Sequence, residues 1–267
     1  MHQPPVALTI AGSDCSSGAG IQADLKTFQH FNVHGLTAIT CVVSETANIV
    51  RLVHPVPVEI VTDQVTLLLE SFPVAAIKTG MLFSAAHVTA IADIVHRFPQ
   101  TALVVDPVMI ASTGDPLLEA DAVECYQSLL LPLARVITPN LPEAEALLKR
   151  RITNSAELEI AARDLADRFQ TAVLLKGGHL EGPLCIDLLI DTDGCHRYQA
   201  ERIAVTGSHG TGCTFSAAIT ARLAKGDSLP SAVAAAKDYL GETLSKSYGF
   251  DGTTGWVHAL NQGTSGF

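Results

Sequence analysis

A mostly parallel α/β fold is predicted for this 267-residue chain, and three features predict it. Short runs rich in β-branched residues alternate with helical patterns along nearly the whole length. One pair of runs, Ile186–Asp191 and Cys195–Gln199, is joined through Asp193-Gly194, a turn pair that closes a hairpin and marks an antiparallel edge. No repeat, low-complexity tract or linker rich in Pro, Gly and Ser divides the sequence. Strands alternating with helices of this length build βαβ units, whose crossovers cover both faces of a parallel sheet. One domain over residues 1–267 is the simplest reading.

The elements follow in order. Val6–Ile10 reads as a first buried strand, and the small-residue loop Gly12–Gly20 leads into a helical period from Ile21 to Phe31. The strand signal returns at Leu36–Val43, Ala75–Lys78, Leu103–Asp106, Arg135–Thr138 and Ala172–Lys176. Helices are expected between them at Ala85–Arg97, Asp121–Leu130, Pro142–Lys149 and Ala156–Phe169. After the hairpin, two long helical patterns, Gly212–Ala224 and Leu229–Ser247, complete the fold. The tail from Gly249 to Phe267, rich in Gly, Thr and Ser around Trp256, reads as irregular.

Composition narrows the function. With 48% hydrophobic and 16% charged residues, a chain of this length buries most of its apolar surface without covalent staples. The six cysteines (Cys15, Cys41, Cys125, Cys185, Cys195, Cys213) include no C-x-x-C pair, which argues against disulfides and zinc and for a reducing cytoplasm. The start, MHQPPVALTIAG, has no basic region and only a brief apolar run, so neither a secretory leader nor a membrane span is expected. A net charge of −10 argues against nucleic-acid binding, which needs a clustered positive surface. A phosphorylated ligand stays open, because backbone dipoles and a few lysines act locally.

The most informative stretch is Thr206-Gly207-Ser208-His209-Gly210-Thr211-Gly212-Cys213-Thr214, just before an Ala-rich helical run. Gly210 and Gly212 let the chain turn so that successive N–H groups, Thr211 included, point into one concavity at a helix N-terminus. Free N–H groups and the helix dipole together stabilise anionic oxygen, and a transferring phosphoryl group fits that role. The plain alternative is a glycine-rich cap with Cys213 packed as a small apolar residue. At the first turn of the helix, Cys213 is expected to have a lowered pKa. Lys176 ends a strand and is followed by Gly177-Gly178-His179, which places a cation at the carboxyl edge of the sheet, where open α/β folds bind ligands.

Asp106 ends another strand, before Pro107-Val108-Met109, and a carboxylate there suits a magnesium-bound water beside phosphates. In Thr138-Pro139-Asn140-Leu141-Pro142-Glu143, the spacing of Asn140 and Glu143 fits an N-cap with a first-turn acid as well as a polar cluster at the site. The first loop, Gly12-Ser13-Asp14-Cys15-Ser16-Ser17-Gly18-Ala19-Gly20, is neither a Walker A motif nor a dinucleotide fingerprint. It suits a small substrate packed on bare backbone, with Asp24 one helical turn on; a solvent-facing Asp24 is the alternative.

In combination these segments resemble the hydroxymethylpyrimidine and phosphomethylpyrimidine kinases of thiamine synthesis, within the ribokinase-like superfamily. The likeness rests on Gly18-Ala19-Gly20-Ile21-Gln22-Ala23-Asp24, Lys78-Thr79-Gly80-Met81-Leu82, Asp106-Pro107-Val108-Met109, Thr138-Pro139-Asn140-Leu141-Pro142-Glu143, Lys176-Gly177-Gly178-His179 and His209-Gly210-Thr211-Gly212-Cys213-Thr214. It implies a three-layer α/β/α sandwich, a cytoplasmic homodimer, and transfer of phosphoryl from ATP with Mg²⁺ to a pyrimidine hydroxymethyl group and then to the resulting monophosphate. It places Cys213 against the substrate hydroxyl and makes Gly210, Thr211 and Gly212 an anion hole. Lys176 is assigned to the ATP phosphates, Asp106 and Glu143 to magnesium, and Asn140 to the nucleotide. Gly12, Ala19, Asp24, Glu45, Met81 and Val108 are assigned to the pyrimidine pocket.

The chief departure is Glu45, in Val43-Ser44-Glu45-Thr46, where the family commonly has Gln. A Gln amide donates and accepts, whereas an ionised Glu only accepts. Cys15, Ser17 and Ser112 depart in the loops, where the family has Pro, Gly and often Lys. A pyridoxal or pyridoxine kinase on the same scaffold is the nearest alternative, and a non-catalytic ligand-binding homologue is a more distant one.

Overall fold

The computed structural model describes residues 3–109, 120–178, 180, 182–205, 207, 209–253 and 255–263; Ser112, Thr206, Ser208 and His179 lie outside them. β1 (Val6–Asp14), β2 (His34–Thr46), β4 (Val74–Thr79), β5 (Ala102–Val105), β6 (Val136–Ile137) and β7 (Ala172–Lys176) pair in parallel. β3 (Ile49–Pro55) closes one edge antiparallel, and the hairpin β8 (Leu184–Asp191) with β9 (Gly194–Glu201) closes the other. The nine-stranded order is β3-β2-β1-β4-β5-β6-β7-β8-β9.

Side-chain alternation explains why the sheet is covered on both faces. In β5, Leu103 and Val105 pack into one cluster and Val104 into another; in β7, Val173 and Leu175 oppose Leu174; in β8, Leu188 and Ile190 oppose Leu189. The first face carries α2 (Val58–Ser71), α3 (Ala85–His96), α4 (Ala120–Cys125), α5 (Leu141–Leu148) and α6 (Ser155–Phe169). The second carries α7 (Thr211–Ala224) and α8 (Leu229–Ser245), with α1 (Gly20–His30) packed beside α7. Strands buried on both faces read as near-continuous apolar runs, as β5 and β7 do up to Lys176 at the end of β7. The result is the three-layer α/β/α arrangement.

Several expectations are corrected. β1 runs on to Asp14, so Gly12, Ser13 and Asp14 of the expected first loop are strand, and β2 extends to Thr46. β3 and α2 were not foreseen. The expected helix 121–130 is α-helical to Cys125 and then forms a π turn over Tyr126–Leu130. Among the described residues of the tail the expectation of irregular chain fails, because β10 (Tyr248–Gly252) and β11 (Gly255–Ala259) form a hairpin. Beyond it, buried Gln262 donates to Gly18 O at 3.1 Å and to Thr214 Oγ1 at 2.9 Å, tying the tail to the first loop and the first turn of α7.

Candidate active site

The carboxyl ends of the parallel strands and the N-terminus of α7 surround one cavity of about 680 Å³. Of the fourteen residues expected at a site, all but Asp24 line it: Gly12, Ala19, Glu45, Met81, Asp106, Val108, Asn140, Glu143, Lys176, Gly210, Thr211, Gly212 and Cys213. A second cavity of about 330 Å³ adjoins it, sharing Asn140, Lys176, Thr211 and Gly212 and continuing along Ile203, Val205, Phe215, Leu240 and Leu244.

Two glycines in the turn before α7 and in its first turn do different work. Gly210 is the N-cap with φ +82°, and a Cβ there would meet Gly18 O at 2.0 Å. Only glycine fits both the left-handed backbone and this approach. At Gly212 a Cβ would meet no backbone, but would sit 3.4 Å from Lys176 Nζ and 3.6 Å from Asp106 Oδ2. The missing side chain leaves room between the helix start, the cation and the carboxylate.

The charged groups form one buried network. Lys176 Nζ pairs with Asp106 Oδ1 at 3.1 Å; Thr138 Oγ1 donates to the same oxygen, and Ser216 Oγ to Oδ2. Burial alone would raise the Asp106 pKa, but Lys176, Lys78 and these hydrogen bonds hold it below the ordinary value. Glu143 completes a capping box with Asn140: Asn140 N donates to Glu143 Oε2 at 2.8 Å, and Glu143 N to Asn140 Oδ1 at 2.9 Å. The N-cap reading therefore holds, and both side chains also face the cavity. Burial pushes the Glu143 carboxyl up to about 8, Lys176 opposing and Asp106 reinforcing the rise.

A matching profile decides the family. The phosphomethylpyrimidine kinase profile covers residues 14–258. The chain belongs to this family. The hydroxymethylpyrimidine/phosphomethylpyrimidine kinase of Haemophilus influenzae is 46% identical over 242 residues, covering 89% of this chain and 90% of the relative. Among solved structures, the phosphomethylpyrimidine kinase of Clostridium difficile superposes with TM-score 0.79 at 37% identity, covering 89% of this chain and 98% of that one. Bacillus subtilis pyridoxal kinase, solved as an ADP complex, superposes with TM-score 0.88 at 34% identity, covering 96% and 97%.

Two expectations for this phosphomethylpyrimidine kinase family member are corrected. Asp24 neither lines the cavity nor faces solvent: it is fully buried in α1, where it accepts from Thr9 Oγ1 and, at 2.8 Å, from Lys78 Nζ. Cys213 does not have a lowered pKa. Burial pushes the thiol up to about 11, outweighing the opposing charge of Lys78 and a backbone hydrogen bond at Gly20. The expectation from helix position alone left out desolvation, which disfavours the thiolate.

Sequence reasoning assigned no role to Asp14 or His209. Asp14 Oδ2 accepts from Gly18 N and Ala19 N, Oδ1 from Ser16 N, and His209 Nε2 lies 3.0 Å from Oδ2. Burial works against the charge, yet the bonds from His209, Ser16 and Ala19 hold Asp14 well below the usual carboxylate range. Asp14 thus folds the first loop around itself and fastens it to the turn before α7. The signal was present in the sequence: an Asp followed by six small residues, a pattern suited to a side chain that collects backbone N–H groups. Its partner, 195 residues away, left no local trace.

Proposed function

We propose that this chain transfers the γ-phosphoryl of ATP to 4-amino-5-hydroxymethyl-2-methylpyrimidine and then to the monophosphate so formed, giving the diphosphate for thiamine synthesis. The observation that carries the reading is the common boundary of the two cavities. Gly212, Thr211, Asn140 and Lys176 belong to both, so a group passing from one ligand to the other crosses an anion-stabilising helix start. The apolar second cavity suits the adenosine of ATP. The larger one, with Gly12, Ala19, Met81 and Val108, suits a small planar ring.

Lys176 holds the phosphate chain, and the N–H groups at the start of α7 receive the charge that develops on the outer oxygens. Asp106 and Glu143 fit Mg²⁺ because they are two buried carboxylates of one cavity that share Lys176 as a neighbouring cation. Among the described residues no three His, Cys, Asp or Glu side chains cluster as metal ligands, so phosphates and waters would supply most of its oxygens. The ion would neutralise charge on the transferring group. In this reading Cys213, at the first turn of α7, meets the substrate hydroxyl as a neutral thiol. A loose phosphoryl-transfer transition state needs little prior deprotonation of the attacking oxygen, so positioning and electrostatics carry most of the acceleration. The whole chain acts as one unit, and we assign it to the cytoplasm as a homodimer.

Pyridoxal is the second reading, favoured by the close superposition on Bacillus subtilis pyridoxal kinase. ADP release with ATP and Mg²⁺ decides between them when the pyrimidine, its monophosphate and pyridoxal are offered in parallel. Turnover of both pyrimidines is expected. Turnover of pyridoxal alone would make the second reading correct, and ligand binding without ADP release would mark a non-catalytic homologue.

A further inference from the structure

Asp187 and Lys237 are charged residues on two faces that are otherwise apolar. In β8, Leu188 and Ile190 point to one side of the sheet, and Leu189 points to the other, toward α7 and α8. Strand alternation puts Asp187 on the side of Leu189. Lys237 lies on the facing stripe of α8, four residues after Val233 and three before Leu240, a spacing that shares one helix face. The two side chains meet there: Lys237 Nζ lies 2.5 Å from Asp187 Oδ2 and donates to Cys185 O at 3.3 Å. Their side chains are only 11% and 5% exposed, and sequence reasoning gave neither a role.

Stability gives no reason for such a pair. Taking two charges out of water offsets their attraction, and apolar substitutes of similar volume are often as stable or more so. What this pair adds is a bond beyond itself. Asp187 Oδ1 accepts from Gly177 N at 3.0 Å, an N–H that also donates to Ile186 O at 3.0 Å. Gly177 follows Lys176, which stands opposite Asp187 in the ladder of β7 and β8 and whose ammonium reaches Asp106. Gly178, Asp187, Lys237 and Lys176 all line the second cavity, whereas Gly178, Asp187 and Lys237 lie outside the first. A line of contacts thus runs from α8 through Asp187 to the backbone beside Lys176.

We propose that Asp187 and Lys237 are positioning residues for the nucleotide: Lys237 orients the Asp187 carboxylate, which holds Gly177 N–H and so fixes the turn after β7 that presents Lys176 and Gly178 to the phosphates of ATP. This deepens the reading of the second cavity as the ATP site and rests on it. Neither side chain needs to touch the nucleotide. The working part is the acceptor on Gly177 N, and the ammonium keeps that acceptor turned inward, because a carboxylate left unpaired on an apolar face turns toward water. The effect is confined to one ligand, since the turn borders the second cavity and the pair has no contact with the ring pocket of the first.

Two double variants test this without stranding a charge: Lys237→Met with Asp187→Leu, and Lys237→Met with Asp187→Asn. Both remove the ion pair, but only the second keeps a side-chain acceptor for Gly177 N. Steady-state ADP release is measured with ATP and with the accepting ring varied in turn, beside thermal unfolding. In the Leu variant kcat/KM for ATP should fall by about ten-fold or more, with 10²-fold the scale of a misplacement near 1 Å, while KM for the ring stays within about two-fold. The Asn variant should lie close to the native chain on both counts. Equal losses toward ATP in the two variants overturn the positioning role, because the ammonium itself would then serve the nucleotide. Native values toward ATP in both, with any change confined to Tm, overturn it as well, because the pair would then serve only the fold. Either result leaves the function standing. A native chain that releases no ADP with the pyrimidine, its monophosphate or pyridoxal overturns the function and this inference together.

Discussion

Lys176 Nζ stands 3.1 Å from Asp106 Oδ1, an ion pair that reaches from the end of β7 across β6 to the residue after β5. Both side chains are nearly inaccessible, and both line the cavity. Lys176 is thus held by a carboxylate and is the cation nearest to where Gly212 leaves space. Replacing Lys176 by Met should lower kcat for ADP release by about 10²–10³-fold, the scale found when a positioned donor to a transition-state oxygen is removed. Lys176→Arg should recover only part, because a planar fork does not replace a compact ammonium. Steady-state assays on the three proteins check this.

Glu143 predicts an opposition between stability and activity. Its pKa is raised by burial to about 8, above the ordinary value for Glu. The neutral form is therefore the stabilising one: its contribution is complete below about pH 4.5 and is lost as pH climbs through about 8. Glu143→Gln keeps an acceptor for Asn140 N and removes the titration. Its Tm should exceed that of the native protein by a margin that widens from pH 5 to pH 8.5, at roughly 2–4 °C per kcal/mol. Its Mg²⁺-dependent turnover should fall. A Tm difference that stays constant with pH would count against the assignment.

The two glycines at the start of α7 should separate folding from chemistry. Gly210→Ala drives a Cβ into Gly18 O in a left-handed backbone, so it should lower Tm by several degrees and abolish turnover. Gly212→Ala meets only the ends of Lys176 and Asp106 and should leave Tm within a degree or two while cutting kcat. Thermal unfolding beside turnover distinguishes the outcomes. Loss of stability in both would mean that Gly212 serves the fold.

The legible and illegible parts of this molecule divide by the range of the forces involved. β5, β7 and the hairpin of β8 and β9 could be read because unbroken apolar runs and an Asp-Gly turn act within a few residues. β3 was missed because it is an edge strand with Ile49, Val50 and Leu52 exposed, which carries no burial pattern. α2 was missed because its β-branched residues resemble a strand, although Val61, Val65 and Leu69 recur every four residues on its buried face. The cavity wall was legible because strand ends and glycine turns place it. Asp24 was misplaced because helix period does not reveal which neighbour lies beneath, and the Cys213 shift was misjudged because burial is a property of the whole fold.

Cys213 should react slowly for that reason. With its thiol pushed up to about 11, little thiolate exists near neutrality, and alkylation follows thiolate. Iodoacetamide labelling mapped by peptide mass should reach exposed Cys15 and Cys195 first, with the Cys213 rate still climbing at pH 10. A Cys213 rate that levels off by pH 8 would reveal a stabilised thiolate, able to act as a base.

Lys78 and Asp24 offer the clearest test of how the floor of the site is held. Both are wholly inaccessible, 2.8 Å apart, and Asp24 Oδ1 has no hydrogen-bond partner among the described residues. The Asp24 charge, with that of Asp106, keeps Lys78 protonated despite burial. Lys78→Met strands the carboxylate, and breaking a buried pair from one side costs about 3–5 kcal/mol. Replacing both residues with apolar side chains, Lys78→Met with Asp24→Leu, removes the stranded charge and should recover much of that loss, since apolar substitutes of similar volume are often neutral. Urea denaturation of the two single variants and the double variant gives the coupling. A double variant as unstable as the sum of the singles would mean that the pair contributes nothing beyond its separate members.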